Sequence, residues 1–226
     1  MKSLCLCLPL LLLNPLRADD TLQTPKKVNV EKTEEGFVSI FDGKTFDGWQ
    51  GNKDHFRIEN GAIVGGTMKK RIPHNEFLCT EQIYADFELR LEAKLRGDGA
   101  NAGVQFRSKR IPNHHEVIGY QCDMGFMQKR SIWGSLYDES RRREFLAHGE
   151  KAAVEKVYRP GKWNQFVIRC EGWRVQIWLN DVQTVDYGEK EPGIAASGVV
   201  AVQIHGGPPS EAWYRNIRIR PLTSKR

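Results

Sequence analysis

What this 226-residue chain lacks narrows it before any motif is read. Of its five cysteines, Cys5 and Cys7 stand at the extreme N-terminus, which leaves Cys79, Cys122 and Cys170. Three is an odd number and none sits in CxxC spacing, so neither a disulfide framework nor a zinc ribbon organises the chain; one pair stays open. The glycine-rich stretch Gly97–Gly103 has no GxGxxG or GK[ST] pattern and no helix after it, which argues against a phosphate cradle. Sustained helical periodicity, internal repeats and low-complexity tracts are all missing. The longest apolar run, Leu4–Leu13, is too short to cross a bilayer. Charge is also modest, at +6 for the whole chain. The basic clusters Lys69–Arg71 and Arg141–Arg143 lie beside acids or loop residues, so solvated loop charge is the expectation and nucleic acid is not an expected partner.

The N-terminus has the grammar of a processing segment. Lys2 precedes the apolar run, and Leu16-Arg17-Ala18 ends on a small residue suited to cleavage. The expectation is a signal peptide over residues 1–18 and an exported protein, periplasmic or extracellular, with no membrane span after cleavage. Removing those residues takes away Lys2 and Arg17 and no acid, leaving +4. Residues 19–35 are polar, carry Pro25 and show no period, and read as a linker. One domain over residues 36–222 follows.

What is present is strand grammar. Phe87, Leu89, Leu91, Ala93 and Leu95 alternate with Glu88, Arg90, Glu92 and Lys94, a period of two held over a long strand. Asn60-Gly61, Glu171-Gly172 and Asn180-Asp181 stand between apolar runs as hairpin turns. Met124–Lys162 is the longest irregular segment, with a short helix expected near Ala152–Val157. About a dozen short strands with little helix predict an all-β fold, an antiparallel β-sandwich of the jelly-roll kind.

Three strands repeat one theme. GVQFR (Gly103–Arg107), YQCD (Tyr120–Asp123) and VQIH (Val202–His205) each place a Gln two residues before Arg, Asp or His. Alternation puts Gln105 and Arg107 on one face, Gln121 and Asp123 on one face, and Gln203 and His205 on one face. Aligned in one sheet they form a polar floor with a cation, a carboxylate and an imidazole. The alternative is three ordinary half-wet strands, with Arg107 and Asp123 as a surface ion pair and His205 a turn residue before Gly206-Gly207-Pro208-Pro209. His114 and His115 read as turn residues, and His148 has no assigned role.

Several stretches resemble the 3-keto-disaccharide hydrolase domain family. They are FDGKTFDGW (Phe41–Trp49), ENGAIVG (Glu59–Gly65), NAGVQFR (Asn101–Arg107), GYQCDMG (Gly119–Gly125), WGSLYDESRR (Trp133–Arg142), GKWNQFVI (Gly161–Ile168) and VQIHGGPPSEAWYRNIRI (Val202–Ile219). They run in order across nearly the whole chain after residue 36. Cys122 departs from the small residue expected before the Asp. The resemblance implies a sandwich like that of concanavalin A-type lectins and glucanases, with a concave face for sugar. It also implies action on glycosides whose C3 hydroxyl has become a ketone. Such a ketone acidifies the C2 proton, so a base can form the enolate and the C1 oxygen can leave by elimination; later addition of water makes the net reaction hydrolysis. This chemistry needs a base near C2, help at the C3 oxygen and an acid for the leaving group.

On that reading Asp123 and His205 are the base and acid, Arg107 faces the enolate oxygen, and Gln105, Gln121 and Gln203 hold sugar hydroxyls. Tyr137, Glu139 and Arg141 are expected to bind substrate from a lid formed by Trp133–Arg142, or else belong to a solvated charge run. No cofactor is assigned. A divalent metal ion on Asp123, His205 and Glu139 is conceivable, although no dedicated metal spacing is present. A retaining glucanase is disfavoured because no ExDxE-type strand supplies its paired carboxylates. The alternative to an enzyme is a non-catalytic carbohydrate-binding sandwich. The sugar, the linkage and the oligomeric state stay open.

Overall fold

The computed structural model describes residues 36–223; the expected signal peptide and linker lie outside the described residues. Seventeen strands appear in the order β1 (Val38–Ser39), β2 (Trp49–Gln50), β3 (Phe56–Glu59), β4 (Ala62–Thr67), β5 (Glu76–Thr80), β6 (Phe87–Arg96), β7 (Ala102–Arg110) and β8 (Val117–Met124). They continue as β9 (Phe126–Met127), β10 (Arg130–Ser131), β11 (Leu136–Glu139), β12 (Phe145–Ala147), β13 (Asn164–Glu171), β14 (Arg174–Leu179), β15 (Val182–Gly188), β16 (Val199–Ile204) and β17 (Ser210–Pro221). One α-helix, α1 (Lys151–Val157), and a 3-10 turn at Lys53–His55 interrupt them among the described residues.

Two antiparallel sheets face each other. The first runs β15-β14-β13-β6-β17-β4-β3, with β1 also on β17, and the second runs β12-β11-β8-β7-β16-β5-β2. Strands β9 and β10 form a separate ribbon. The all-β sandwich expected from the sequence is therefore the fold.

The turns follow residue chemistry. Asn60 and Gly61 both take positive φ (51° and 73°), as do Asn180 and Asp181 (46° and 69°). That is the backbone twist a two-residue hairpin requires, and short side chains that accept it stand at both places. Helix α1 begins where the Glu150 carboxylate accepts from the amides of Ala152 and Ala153.

The core lies between the sheets. Phe87, Leu89, Leu91 and Ala93 point inward from β6, and Val104, Phe106, Tyr120, Cys122, Met124, Val202 and Ile204 meet them from the second sheet. Each fully buried Leu or Phe contributes about 1.5–3 kcal/mol. Trp49 is buried and its indole N–H donates to Ile40 O at 2.7 Å, satisfying the one polar atom that burial would otherwise strand. Cys79, Cys122 and Cys170 are all free and buried, and Cys122 sits on the apolar side, where packing absorbs it.

The segment read from sequence as irregular carries two more strands of the second sheet. Trp133 is a core residue, its ring 4.6 Å from Tyr158 and 5.9 Å from Phe166. Beyond it, β11 pairs with β8.

Candidate active site

Register sets out the outward face of the second sheet row by row. Gln105 of β7 pairs with Gln121 of β8, which pairs with Tyr137 of β11, which pairs with Phe145 of β12. The next row holds Phe77 and Gln203, then Gly103 and Asp123, then Ser135, whose carbonyl accepts from the Asp123 amide at 2.9 Å. His148, one residue past β12, closes that row, with its Nδ1 3.0 Å from the Ser135 hydroxyl. On the other side of the Gln row, Glu139 pairs with Gly119.

Within this face the polar groups form a directed chain. Ser108 donates to Gln105 Oε1 (2.9 Å), Gln105 Nε2 to Gln121 Oε1 (2.6 Å), and Gln121 Nε2 to Asp123 Oδ1 (2.7 Å). Gly103 makes this possible, because a Cβ there would stand 2.4 Å from Gln121 Cδ. Gln203 is fully buried, and among the described residues neither of its amide atoms has a partner. An unpaired buried amide is costly.

Burial dominates the electrostatics. Asp123 is 4% exposed, and its pKa is pushed up to about 8, by burial first and by the neighbouring Glu139 charge, against the pull of the Gln121 hydrogen bond. Glu139 is raised as well, by burial and then by Glu116. Burial raises the Tyr137 phenol, with Glu139 and Asp123 adding to it. His148 moves the other way: burial lowers it, and Arg130 lowers it further.

The face is roofed on one side. At Arg107 and Ser108 the β7–β8 register shifts by a bulge, and Gly119 opposite takes φ +147°. The hairpin then folds back over the sheet. Val117 packs on Phe77, Cys79 and Ala201, His115 Nδ1 meets Asn75 O at 3.0 Å, and Ser140 donates to Glu116 at 2.5 Å. Gln105 and Gln203 lie under this cover, whereas Tyr137, Phe145 and His148 stay partly exposed. The exposed part of the face therefore lies over β11–β12, beside the buried Asp123.

Residues 36–220 match the 3-keto-alpha-glucoside-1,2-lyase-like domain family. The chain belongs to that family. A 3-keto-disaccharide hydrolase of Bacteroides thetaiotaomicron is 23% identical, over 90% of this chain and 82% of that protein. Among solved structures, the carbohydrate-binding module CBM66 of Bacillus subtilis superposes with a TM-score of 0.58 at 15% identity, covering 76% of this chain and 95% of that one. A Bacillus licheniformis β-glucanase gives 0.54 at 10% identity, covering 83% and 97%. These last two show the sandwich alone, and one is a binding module while the other is an enzyme, so the fold does not choose between them.

Against this family background, the sequence-predicted residues separate. Gln105, Gln121, Asp123, Gln203, Tyr137 and Glu139 share the face. Arg107 does not. The bulge gives it φ +46° and sends its guanidinium to the other sheet, where it donates to Ala85 O (2.9 Å), Gly172 O (2.7 Å) and Asp86 Oδ1 (2.7 Å). His205 lies past the end of β16, exposed, with Nδ1 2.6 Å from Gly206 O. It is two strands and one pleat from Asp123, about 12 Å by strand geometry, so the two do not meet. Arg141 turns to the opposite side, where it pairs with Asp138 at 2.8 Å and lies over the Tyr120 ring. The segment expected as a lid is a strand of the sheet itself, and the cover comes instead from the β7–β8 hairpin. Among the described residues no group of three His, Cys, Asp or Glu is placed to hold a metal, and the grouping of Asp123, His205 and Glu139 is not assembled. Sequence reasoning missed Ser135 and His148. The alternation of Ser135, Tyr137 and Glu139 about Leu136 was the available signal.

Proposed function

We propose that this family member is an exported carbohydrate-active enzyme that cleaves 3-keto-glycosides by C2 proton abstraction, elimination at C1 and hydration. Membership of the family and the hydrolase name of its relative support a glycosyl-hydrolase class of activity. The observation that carries the finer reading is Asp123: a nearly buried carboxyl, fed by a one-way hydrogen-bond chain and pushed up to about 8. Gln121 and the Met124 amide both donate to this carboxyl, and burial outweighs them and keeps its proton. A carboxylic acid that keeps its proton at neutral pH is the group needed to protonate a departing glycosidic oxygen.

The Tyr137 hydroxyl has no protein partner among the described residues and is the neutral donor available to the developing enolate oxygen. Gln203, expected to hold a sugar hydroxyl, lies beneath the β7–β8 hairpin with both amide atoms buried, so it does not reach a sugar. The deciding experiment incubates the protein with a 3-keto-disaccharide and with its unoxidised parent and analyses products. Cleavage of the keto-sugar alone is expected. Retention of both sugars without turnover would make the protein a binding module, and cleavage of both would remove the need for the ketone.

A further inference from the structure

We infer that His148, held by Ser135, is the base that removes the C2 proton, opposite Asp123 as acid. The inference rests on the 3-keto-glycoside reading and supplies the partner that His205, at the rim, does not.

Three observations carry it. First, His148, Ser135 and Asp123 occupy one row of the same face on three adjacent strands: Asp123 and Ser135 are joined through the backbone at 2.9 Å, and Ser135 and His148 through side chains at 3.0 Å. Adjacent strands are about 4.8 Å apart, so the strand carrying Ser135 separates imidazole from carboxyl, roughly 10 Å from backbone to backbone. Ser135 lies between them, buried, with its hydroxyl against the imidazole. Second, the ring is fixed. Phe145 packs on it at 4.5 Å and Tyr137 packs on Phe145 at 5.0 Å, while Ser135 takes Nδ1 and leaves Nε2 without a protein partner among the described residues. Third, the two titrating groups are driven apart in the useful sense. Asp123 is raised and His148 is lowered, so at neutral pH one is a neutral acid and the other a neutral base. Arg130 on β10 is the charge that acts on His148, and Asp123 and Tyr137 stand on the neighbouring strands β8 and β11. Arg130 opposes imidazolium.

The step balances. His148 takes the C2 proton, and the C–H electron pair forms the enolate of the C3 ketone. The enolate pair returns as the C1–C2 double bond, the C1–O bond breaks, and the leaving oxygen takes the Asp123 proton. Water then adds to C1 of the enone, its spare proton restores Asp123, and imidazolium returns a proton to C2.

The test separates the two roles by hydrogen exchange at C2 in heavy water, measured beside cleavage of a 3-keto-disaccharide. His148→Gln should fold as the wild type and lose both exchange and cleavage, by about 10²–10⁴-fold. Asp123→Asn should lose cleavage but keep exchange. Imidazole in solution should restore part of the turnover of His148→Ala, which a purely structural role would not allow. Ser135→Ala should lower kcat with little change in KM. Wild-type exchange in His148→Gln, or exchange lost in Asp123→Asn and kept in His148→Gln, overturns the assignment. A wild-type protein that neither cleaves nor exchanges instead sinks the underlying reading, and the two failures are distinct.

Discussion

At the scale of single residues, one buried carboxyl ties stability to pH. The folded pKa of Asp123 is about 8 against an ordinary 3.8, so between those values the folded chain keeps a proton that the unfolded chain has released. Stability is therefore full below about pH 4 and falls as pH rises toward 8, by at most about 1.4 kcal/mol per pH unit from this group. Asp123→Asn removes the titration while keeping the acceptor for Gln121. Denaturant melts at pH 5 and pH 8 should show a flatter pH dependence for the variant and a gain in its relative stability at the higher pH. An unchanged slope would mean that Asp123 is ionised in the fold. Activity should be bell-shaped, rising as His148 loses its proton below its ordinary value near 6.5 and falling as Asp123 ionises near 8. Glu139 helps to hold Asp123 up. Glu139→Gln should thus move the alkaline limb toward lower pH, and a limb that stays put would show that burial alone sets it.

At the scale of elements, two glycines make opposite bets. The nearest atoms a Cβ on Gly103 would meet belong to the flexible Gln121 side chain, whereas one on Gly119 meets Ser108 Cα at 2.7 Å, at a backbone φ of +147°. Gly119→Ala should cost more stability, because the bulge that starts the covering hairpin admits no side chain there. Gly103→Ala should instead lower turnover out of proportion to its stability, because it pushes Gln121 from between Gln105 and Asp123. Melting temperature and kcat for the pair test this, and equal effects on both measures would refute it. The same elements show what a sequence reveals. Alternation placed Gln105, Gln121, Asp123 and Gln203 on one face because each sits in unbroken period-two strand. It failed at Arg107, where one extra residue in the bulge reverses every side chain after it, and such a bulge leaves no mark in composition. His205 failed because its strand ends at Ile204. Ser135 and His148 were hidden because a Gly and a run of charges made a short strand look like loop.

At the scale of the molecule, the two sheets are joined by more than their apolar core. Arg107 leaves the second sheet and binds two backbone carbonyls and Asp86 on the first, with its side chain 2% exposed. The same Asp86 oxygen also accepts from the Gly172 amide at 3.0 Å, so the start of β6, the β13–β14 turn and the β7 bulge converge on one guanidinium. Arg107 belongs here by shape: a planar fork can serve three acceptors in different directions, and an ammonium is a point charge that cannot. Removing one partner of a buried pair strands the other, at about 3–5 kcal/mol. Arg107→Ala should therefore lose about that much stability in denaturant, with Arg107→Lys in between. Neither should change C2 exchange per folded molecule, measured at a temperature where the variant is fully folded. If Arg107→Lys instead keeps wild-type stability and loses exchange, the guanidinium acts on substrate after all, and the bulge would have to relax to bring it to the face beside Gln105.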